Sequence, residues 1–121
     1  MAQKILVIDD DDLVLLAIQE LLTPMGFTVI TSTSGPDALK KLSDEPFDLI
    51  ILDVVMPEMD GFEVCRRVRH IPAYAETSIM MLTARSSDED RKRGLEVGAN
   101  LYLPKPISPI RLIAMVQEAL K

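Results

Sequence analysis

The sequence contains one cysteine, no tryptophan and few aromatic residues, which make up 4% of its 121 residues. The single cysteine, Cys65, has no partner for an internal disulfide, which excludes a disulfide-stabilised scaffold and fits a reducing cytoplasm. No apolar run approaches the roughly 20 residues of a membrane-spanning helix, and we expect no signal peptide. Basic residues are not in excess either. The net charge of −6 makes the domain itself a poor partner for nucleic acid, whose phosphates favour a basic face.

The residues that are present have the composition of an ordinary globular domain. Hydrophobic residues make up 48% of the chain and charged residues 26%, which excludes a disordered or fibrous protein. The length suits one compact domain and little more. We therefore predict a single domain over residues 1–121, soluble and cytoplasmic, with no membrane contact.

Short apolar runs alternate with stretches that are long enough for a helix and its loops. The runs are continuous rather than alternating, which indicates strands covered on both faces. Strand and helix alternating in this way predict a doubly wound parallel α/β sheet, whose ligands bind beyond the carboxyl ends of the strands. The predicted strands are residues 5–8, 27–30, 49–52, 79–82 and 101–103, and the predicted helices are 12–25, 36–43, 62–70, 87–98 and 109–120.

Chemically active side chains follow four of the predicted strands. Asp9 and Asp10 follow the first, Asp53 the third, Thr83 the fourth and Lys105 the fifth. Two carboxylates about 4 Å apart repel by roughly 4 kcal/mol at an effective dielectric near 20, so such a pocket needs a cation or raised carboxyl pKa values. Oxygen ligands favour Mg²⁺, and an aspartate beside Mg²⁺ with lysine and threonine donors is arranged to attack phosphorus.

Each of these residues taken alone has a simpler interpretation. An aspartate at a strand end is often only a helix N-cap, and we assign that role to Asp11 and Asp12, with Asp12 as the N-cap before Leu13. Thr83 alone would usually be a turn hydroxyl, and Lys105 alone a surface lysine. The joint pattern at the ends of the right strands is difficult to obtain by accident.

Six short motifs occur in a fixed order along the chain. One motif alone would be weak, but the ordered set is specific and covers essentially the whole length. The motifs are Lys4-Ile-Leu-Val-Ile-Asp-Asp10, Leu52-Asp53-Val-Val-Met-Pro57, Met59-Asp-Gly61, Leu82-Thr83-Ala84, Gly94-Leu-Glu-Val-Gly-Ala99 and Tyr102-Leu-Pro-Lys-Pro106. With these motifs the sequence resembles the receiver domain of two-component response regulators, of the chemotaxis-regulator type. The resemblance implies a flavodoxin-like fold of five parallel strands in the order 2-1-3-4-5.

The same resemblance implies a phospho-accepting switch rather than an enzyme acting on a separate substrate. Asp53 would take a phosphoryl group from a histidine kinase or histidine phosphotransfer protein and then control an unknown output partner. Asp10, Asp53 and the backbone carbonyl of Val55 would ligate Mg²⁺ or Mn²⁺, with Asp9 reaching the ion mainly through water. The resemblance further implies a monomer or a weak, phosphorylation-dependent dimer.

Residues on the last two strands would bind the phosphoryl group and respond to it. By resemblance, Thr83, Ala84 and Lys105 would hold the phosphoryl oxygens, and the bond between Lys105 and Pro106 would be cis. Thr83 would move toward the phosphoryl group, and the ring of Tyr102 would then enter the space it leaves. An unremarkable half-buried strand aromatic is the alternative interpretation of Tyr102.

Two departures and three alternative functions accompany the resemblance. Asn100 and Leu101 stand where many DNA-binding regulators have an acidic pair, which puts their dimer face in doubt here. Val55 and Arg85 occupy positions that tune phosphoryl lifetime in the family.

A phosphatase with an aspartyl nucleophile requires a second acid two residues after the first, where Val55 stands. A nucleotide- or flavin-binding module requires a glycine-rich loop after the first strand, which is missing. A degenerate receiver that only binds partners is disfavoured because all five site residues are retained.

The first predicted helix contains more leucine than one core face requires. At 100° per residue, Leu16 points nearly opposite the predicted core face and Leu13 lies well off it. Single exposed apolar residues are common, so idle surface leucines are one interpretation. A docking site for the kinase is the other, since helix 1 commonly meets the phosphodonor in the family that the chain resembles. The predicted core-facing residues are Val14, Ile18, Leu21, Leu22 and Met25.

Overall fold

A parallel sheet forms the centre of the computed structural model, which describes residues 2–121. Its strands are β1 (Lys4–Ile8), β2 (Thr28–Ser32), β3 (Leu49–Leu52), β4 (Ser78–Thr83) and β5 (Leu101–Pro104). All neighbouring pairs are parallel, and the order across the sheet is β2-β1-β3-β4-β5. The predicted fold class and strand order are confirmed.

Helices connect the strands and cover both faces of the sheet. They are α1 (Asp12–Leu22), α2 (Gly35–Asp44), α3 (Gly61–Arg69), α4 (Asp88–Glu96) and α5 (Pro109–Ala119). Among the described residues, none of these helices has both the length and the apolar character needed to cross a bilayer. Each helix follows a residue whose side chain accepts a backbone N–H of the first turn, which stabilises the helix start. These capping residues are Asp11, Ser34, Asp60, Ser87 and Ser108.

The start of α1 corrects one prediction. Asp11, not Asp12, is the N-cap: its backbone is extended, and its Oδ1 accepts the N–H of Leu13 at 2.9 Å. Asp12 already belongs to the first helical turn, where its negative charge interacts favourably with the helix dipole. Aspartates in consecutive positions are equally good caps, and the chain path leaving β1 selects between them.

The end and the core face of α1 also differ from the prediction. The helix ends at Leu22 and continues as a 3₁₀ turn over Thr23–Met25, since Pro24 has no N–H to continue the ladder. Met25 is 45% exposed instead of buried, whereas Leu15 is buried. The buried face therefore centres on Leu15, Ile18 and Leu22, rotated by roughly 50° from the predicted stripe, with Val14 and Leu21 at its borders.

Two apolar cores lie on opposite faces of the sheet. Alternate residues of each strand point to opposite sides, so Ile5 and Val7 pack with α1 and α5, whereas Leu6 and Ile8 pack with α2 and α3. Both faces are covered, which explains why the strands read as continuous apolar runs. Cys65 is buried in the core that faces α2 and α3, and its burial raises the pKa of the thiol to about 11.

Arg69, at the end of α3, joins two loops that no sequence motif connects. Its guanidinium donates to the carbonyl of Gly98 at 2.8 Å, to that of Thr77 at 2.6 Å and to Asn100 Oδ1 at 2.8 Å. The same Asn100 oxygen accepts the N–H of Ile79 at 2.8 Å. Asn100, which departs from the acidic residue of many DNA-binding regulators, therefore holds the start of β4 in place.

Candidate functional site

The carboxyl edge of the sheet brings three aspartates together. Asp9 and Asp10 directly follow β1, and Asp53 directly follows β3. Sheet hydrogen bonding extends one residue beyond these strands, since the N–H of Asp53 donates to the carbonyl of Ile8 at 2.9 Å and that of Asp9 to the carbonyl of Ser32 at 3.1 Å. Carboxylate oxygens of the three aspartates lie within 4.8 Å of one another. The backbone thus holds the predicted acidic cluster rigidly.

Lys105 lies between the two buried members of this cluster. Its Nζ donates to Asp9 Oδ2 at 2.6 Å and to Asp53 Oδ2 at 3.2 Å. Its position depends on β5: the N–H of Lys105 donates to the carbonyl of Thr83 at 2.9 Å, and the bond to Pro106 is cis. One ammonium group offsets one of three carboxylates, so the ionised cluster retains a net negative charge.

Burial and pairing shift the pKa values of this pocket. Asp9 is 3% exposed and Asp53 7% exposed, whereas Asp10 faces solvent. Burial raises the pKa of Asp9 even though the hydrogen bond from Lys105 opposes it. Burial would lower the pKa of Lys105, but the hydrogen bond with Asp9 and the charge of Asp53 raise it, so Lys105 stays cationic. Ionised Asp9 therefore destabilises the metal-free fold at neutral pH, and this penalty disappears as the pH falls through its raised pKa.

The remaining predicted site residues surround Asp53 and Lys105. Asp53 Oδ1 accepts the N–H of Val55 at 3.3 Å, and the Val55 side chain is 55% exposed. Thr83 is fully buried, and its Oγ1 accepts the N–H of Arg85 at 3.2 Å. Ala84 is exposed and lines a groove beside Lys105. Thr83 thus links the end of β4 to the loop before α4.

Tyr102 is almost fully buried rather than half-buried. The residue is 3% exposed, and its hydroxyl donates to the carbonyl of Arg85. Room for the ring comes from Gly94 in α4, where an added Cβ would lie only 2.6 Å from the ring carbon Cδ2. The ring therefore occupies the interior already in this structure, whereas the family resemblance predicts that it enters after Thr83 moves. A glycine inside a helix, where alanine is favoured, was the available sequence signal.

The donor set at this edge fits a hard divalent cation. All available ligand atoms of the three aspartates are carboxylate oxygens, which suit Mg²⁺ or Mn²⁺ rather than a soft metal. Two of the three carboxylates are buried, so their mutual repulsion is only partly screened by water. The cluster thus has both the ligand chemistry and the unbalanced charge that favour binding of such a cation.

Asp10→Asn is expected to raise the melting temperature of the protein in chelator by about 3 °C, because it removes like-charge repulsion near Asp9 and Asp53. Mg²⁺ should stabilise the wild type by linkage and the variant much less, as thermal melts with and without the ion would show. Glu76→Gln is the control, since Glu76 is exposed, lies outside the helices and is not part of the cluster. An Asp10→Asn variant that melts below the wild type in chelator would identify Asp10 as a structural hydrogen-bonding residue instead.

The fold and this edge together define a class of protein, the doubly wound α/β domains that carry an acidic cluster at the carboxyl edge of the sheet. The family model of the response regulator receiver domain matches residues 5–117, and the chain belongs to this family. It is a receiver domain of two-component systems, and phosphorylation and Mg²⁺ binding are typical of its family. Receiver domains interact with histidine kinases and output domains.

Curated relatives and solved structures agree with this assignment. The chain is 42% identical over its 121 residues to the alkaline phosphatase synthesis transcriptional regulatory protein PhoP of Bacillus subtilis, covering 50% of it. Over 118 residues, or 98% of the chain, it is 44% identical to the transcriptional regulatory protein AfsQ1 of Streptomyces coelicolor, covering 51% of it. The chain thus spans about half the length of these relatives. The chemotaxis protein CheY4 of Vibrio cholerae superimposes with a TM-score of 0.95 at 38% identity, over 99% of this chain and 100% of that one. The BeF₃-activated DrrB receiver domain gives 0.89 at 38% identity, over 99% and 98% of the two chains.

Proposed function

We propose that Asp53 accepts a phosphoryl group in a reaction that depends on a divalent cation. The observation that carries this proposal is the Lys105 ammonium, held 2.6 Å from Asp9 and 3.2 Å from Asp53 at the acidic edge. A carboxylate oxygen of Asp53 forms a bond to phosphorus, and the bond between phosphorus and the donor's leaving group breaks, with its electron pair leaving on that group. Lys105 then donates to the phosphoryl oxygens and offsets their charge.

The proposed cation site uses the acidic cluster and one backbone carbonyl. Asp10, Asp53 and the carbonyl of Val55 would hold Mg²⁺ or Mn²⁺, and Asp9 would act mainly through water. The ion supplies positive charge to the oxygens of the transferred group. Asp9 is kept in place by two contacts, since its Oδ1 accepts the N–H of Asp11 at 2.9 Å and its Oδ2 accepts Lys105. Asp9 therefore positions the lysine and would hold the ion through water.

The protein is proposed to be its own substrate rather than an enzyme that turns over a separate one. A phosphoryl group enters on Asp53 from a histidine kinase or histidine phosphotransfer protein and leaves by hydrolysis. Thr83 and Ala84 would receive phosphoryl oxygens, and Tyr102, through its bond to the carbonyl of Arg85, would report the change to the loop before α4. The output partner, a cytoplasmic location and a monomer or weak phosphorylation-dependent dimer stay predictions from the sequence.

Labelling with acetyl phosphate tests the proposed function. In the presence of Mg²⁺ we expect one phosphoryl group per chain, on Asp53, detected by intact mass and peptide mapping. Chelator and Asp53→Asn should each abolish the label, whereas Asp44→Asn, an exposed position at the end of α2, should not. Labelling of Asp53→Asn at wild-type stoichiometry, or labelling that is indifferent to chelator, would contradict the proposal.

An exposed apolar surface on α1 lies close to this site. Leu13 is 76% exposed and Leu16 49% exposed. A groove of about 630 Å³ between α1 and α5 extends from Val14 to Lys105 and Pro106. We propose that Leu13, Leu16 and the neighbouring groove receive the helices of the phosphodonor. An apolar contact at this end of α1 would bring the donor histidine next to Asp53. Burying one leucine contributes roughly 1.5–3 kcal/mol, or about ten- to a hundredfold in affinity.

Leu16→Ser should slow phosphoryl transfer from the cognate kinase by about tenfold or more, because it removes this apolar contact. Acetyl phosphate labelling and the unfolding midpoint should stay at wild-type values. Leu95→Ser is the matched control, since Leu95 is 48% exposed but lies on α4. Equal losses with both donors would place Leu16 in the active site or core, and no loss with either would make it an idle surface leucine.

A further inference from the structure

The strand β2 lies at one edge of the sheet, so one side of its backbone has no neighbouring strand. The N–H of Thr28 donates to the carbonyl of Gln3 at 3.0 Å, and the carbonyl of Ser32 accepts the N–H of Asp9 at 3.1 Å. Because the backbone N–H and C=O groups of successive residues in a strand point to opposite sides, those of Val29 and Thr31 face away from β1. An open edge of this kind is a template on which a further strand can add.

Two side chains from the flanking helices reach these outward carbonyl groups. Gln19 on α1 donates from Nε2 to the carbonyl of Val29 at 3.2 Å. Lys41 on α2 donates from Nζ to the carbonyl of Thr31 at 2.6 Å. A strand that added to this edge would need both carbonyl oxygens as acceptors, and it would have to displace both donors.

The donor from α2 is held in place by its neighbours. Lys41 Nζ lies 3.0 Å from Asp37 Oδ2, one helical turn away. The same carboxylate oxygen accepts the Ser32 hydroxyl at 2.7 Å. These bonds lower the pKa of Asp37, so its charge persists at mildly acidic pH. Lys41 is therefore fixed on the strand edge and does not move freely in solvent.

The sequence of β2 suits pairing with an identical strand. Thr28–Ser32 reads TVITS, with a β-branched residue at each of the first four positions and no charged residue. When two such edges pair antiparallel about a twofold axis, each presents the same outward N–H and carbonyl groups to the other. The partner that this edge fits is a second copy of the same chain.

We propose that Gln19 and Lys41 close the β2 edge, and that the edge becomes a self-association surface for two copies of this chain when these side chains are removed. The closure rests on hydrogen bonds within one chain. None of the residues that form these bonds belongs to the acidic cluster around Asp53.

A double variant, Gln19→Leu with Lys41→Met, tests the proposal by sedimentation velocity over a range of protein concentrations. Leucine and methionine preserve helix propensity but donate no hydrogen bond. We expect self-association at least about tenfold stronger than in the wild type. The matched control makes the same replacements at exposed positions, Gln117→Leu with Lys40→Met, and should behave as the wild type.

Spin labels locate the contact. A nitroxide attached through Thr28→Cys leaves Cys65 unmodified, since Cys65 is buried and its thiol pKa is raised to about 11. Antiparallel pairing of two β2 edges would place the two labels about 15 Å apart, a distance that pulsed electron spin resonance measures. A folded double variant that associates no more than the control, or one that associates with its labels far apart, overturns the proposal. Should the double variant fail to fold, the single variant Lys41→Met carries the same test, and wild-type association there overturns the proposal equally.

Discussion

Replacing Lys105 by methionine is expected to lower the free energy of unfolding of the metal-free protein by about 2–3 kcal/mol and to abolish phosphoryl acceptance by Asp53. The lysine side chain is 23% exposed, and its two partner carboxylates are 4% and 8% exposed. Without the ammonium group, Asp9 and Asp53 would be buried beside each other with no positive charge between them. Urea unfolding in chelator measures the first effect, and acetyl phosphate labelling measures the second.

Adding Mg²⁺ distinguishes the contribution of the Lys105 charge to stability from the contribution of its packing. Since the divalent ion adds positive charge at the same cluster, it should restore part of the lost stability of Lys105→Met without restoring phosphoryl acceptance. Lys40→Met is the control, because the Lys40 side chain is 77% exposed and pairs with Asp44 on the surface of α2. That change should cost no more than about 0.5 kcal/mol. Equal destabilisation by the two substitutions, or no recovery with Mg²⁺, would show that the charge explanation is wrong.

Gly61→Ala should lower the free energy of unfolding by about 3 kcal/mol or more and weaken Mg²⁺ binding. A methyl group at Gly61 would overlap the carbonyl oxygen of Asp53 and lie 2.7 Å from the Cα of Val54. Both are backbone atoms, of Asp53 and of its neighbour, so relief of the overlap must move the start of α3 or Asp53 itself. Urea unfolding and titration of Mg²⁺ against the melting temperature measure the two effects.

Gly26→Ala provides the comparison for this effect. Gly26 has a φ of +97°, but a Cβ there meets no atom within 4 Å. Its replacement should cost only about 1 kcal/mol of backbone strain and leave Mg²⁺ binding unchanged. Equal stability losses in the two variants would show that the close approach of Gly61 to Asp53 is not what requires glycine there.

The sequence alone determined the fold class and the meeting of the site residues at the carboxyl edge of the sheet. Continuous apolar runs are typical of strands covered on both faces, and their alternation with helices predicts a parallel sheet. In such a sheet the carboxyl ends of the strands meet at one edge, so linear positions translate directly into proximity. Asp9 and Asp53 could therefore be placed together, and Lys105 beside them, although 96 residues separate Lys105 from Asp9.

The tertiary structure decided the features that depend on which atoms touch. Equivalent candidates, such as Asp11 and Asp12 at the start of α1, are separated only by the path of the backbone. Periodicity predicted that α1 has a buried face, but packing on the sheet placed its centre at Leu15 rather than at the predicted stripe.

Contacts between distant segments gave other residues roles that no local pattern shows. Gly61 lies against the backbone of Asp53, Arg69 joins two loops, and Lys41 covers the edge of β2. Local propensity and periodicity are properties of neighbouring residues, and the sequence carries them in full. Steric overlap, burial and hydrogen bonding across the fold depend on distances between atoms far apart in the chain, and only the folded arrangement sets those distances.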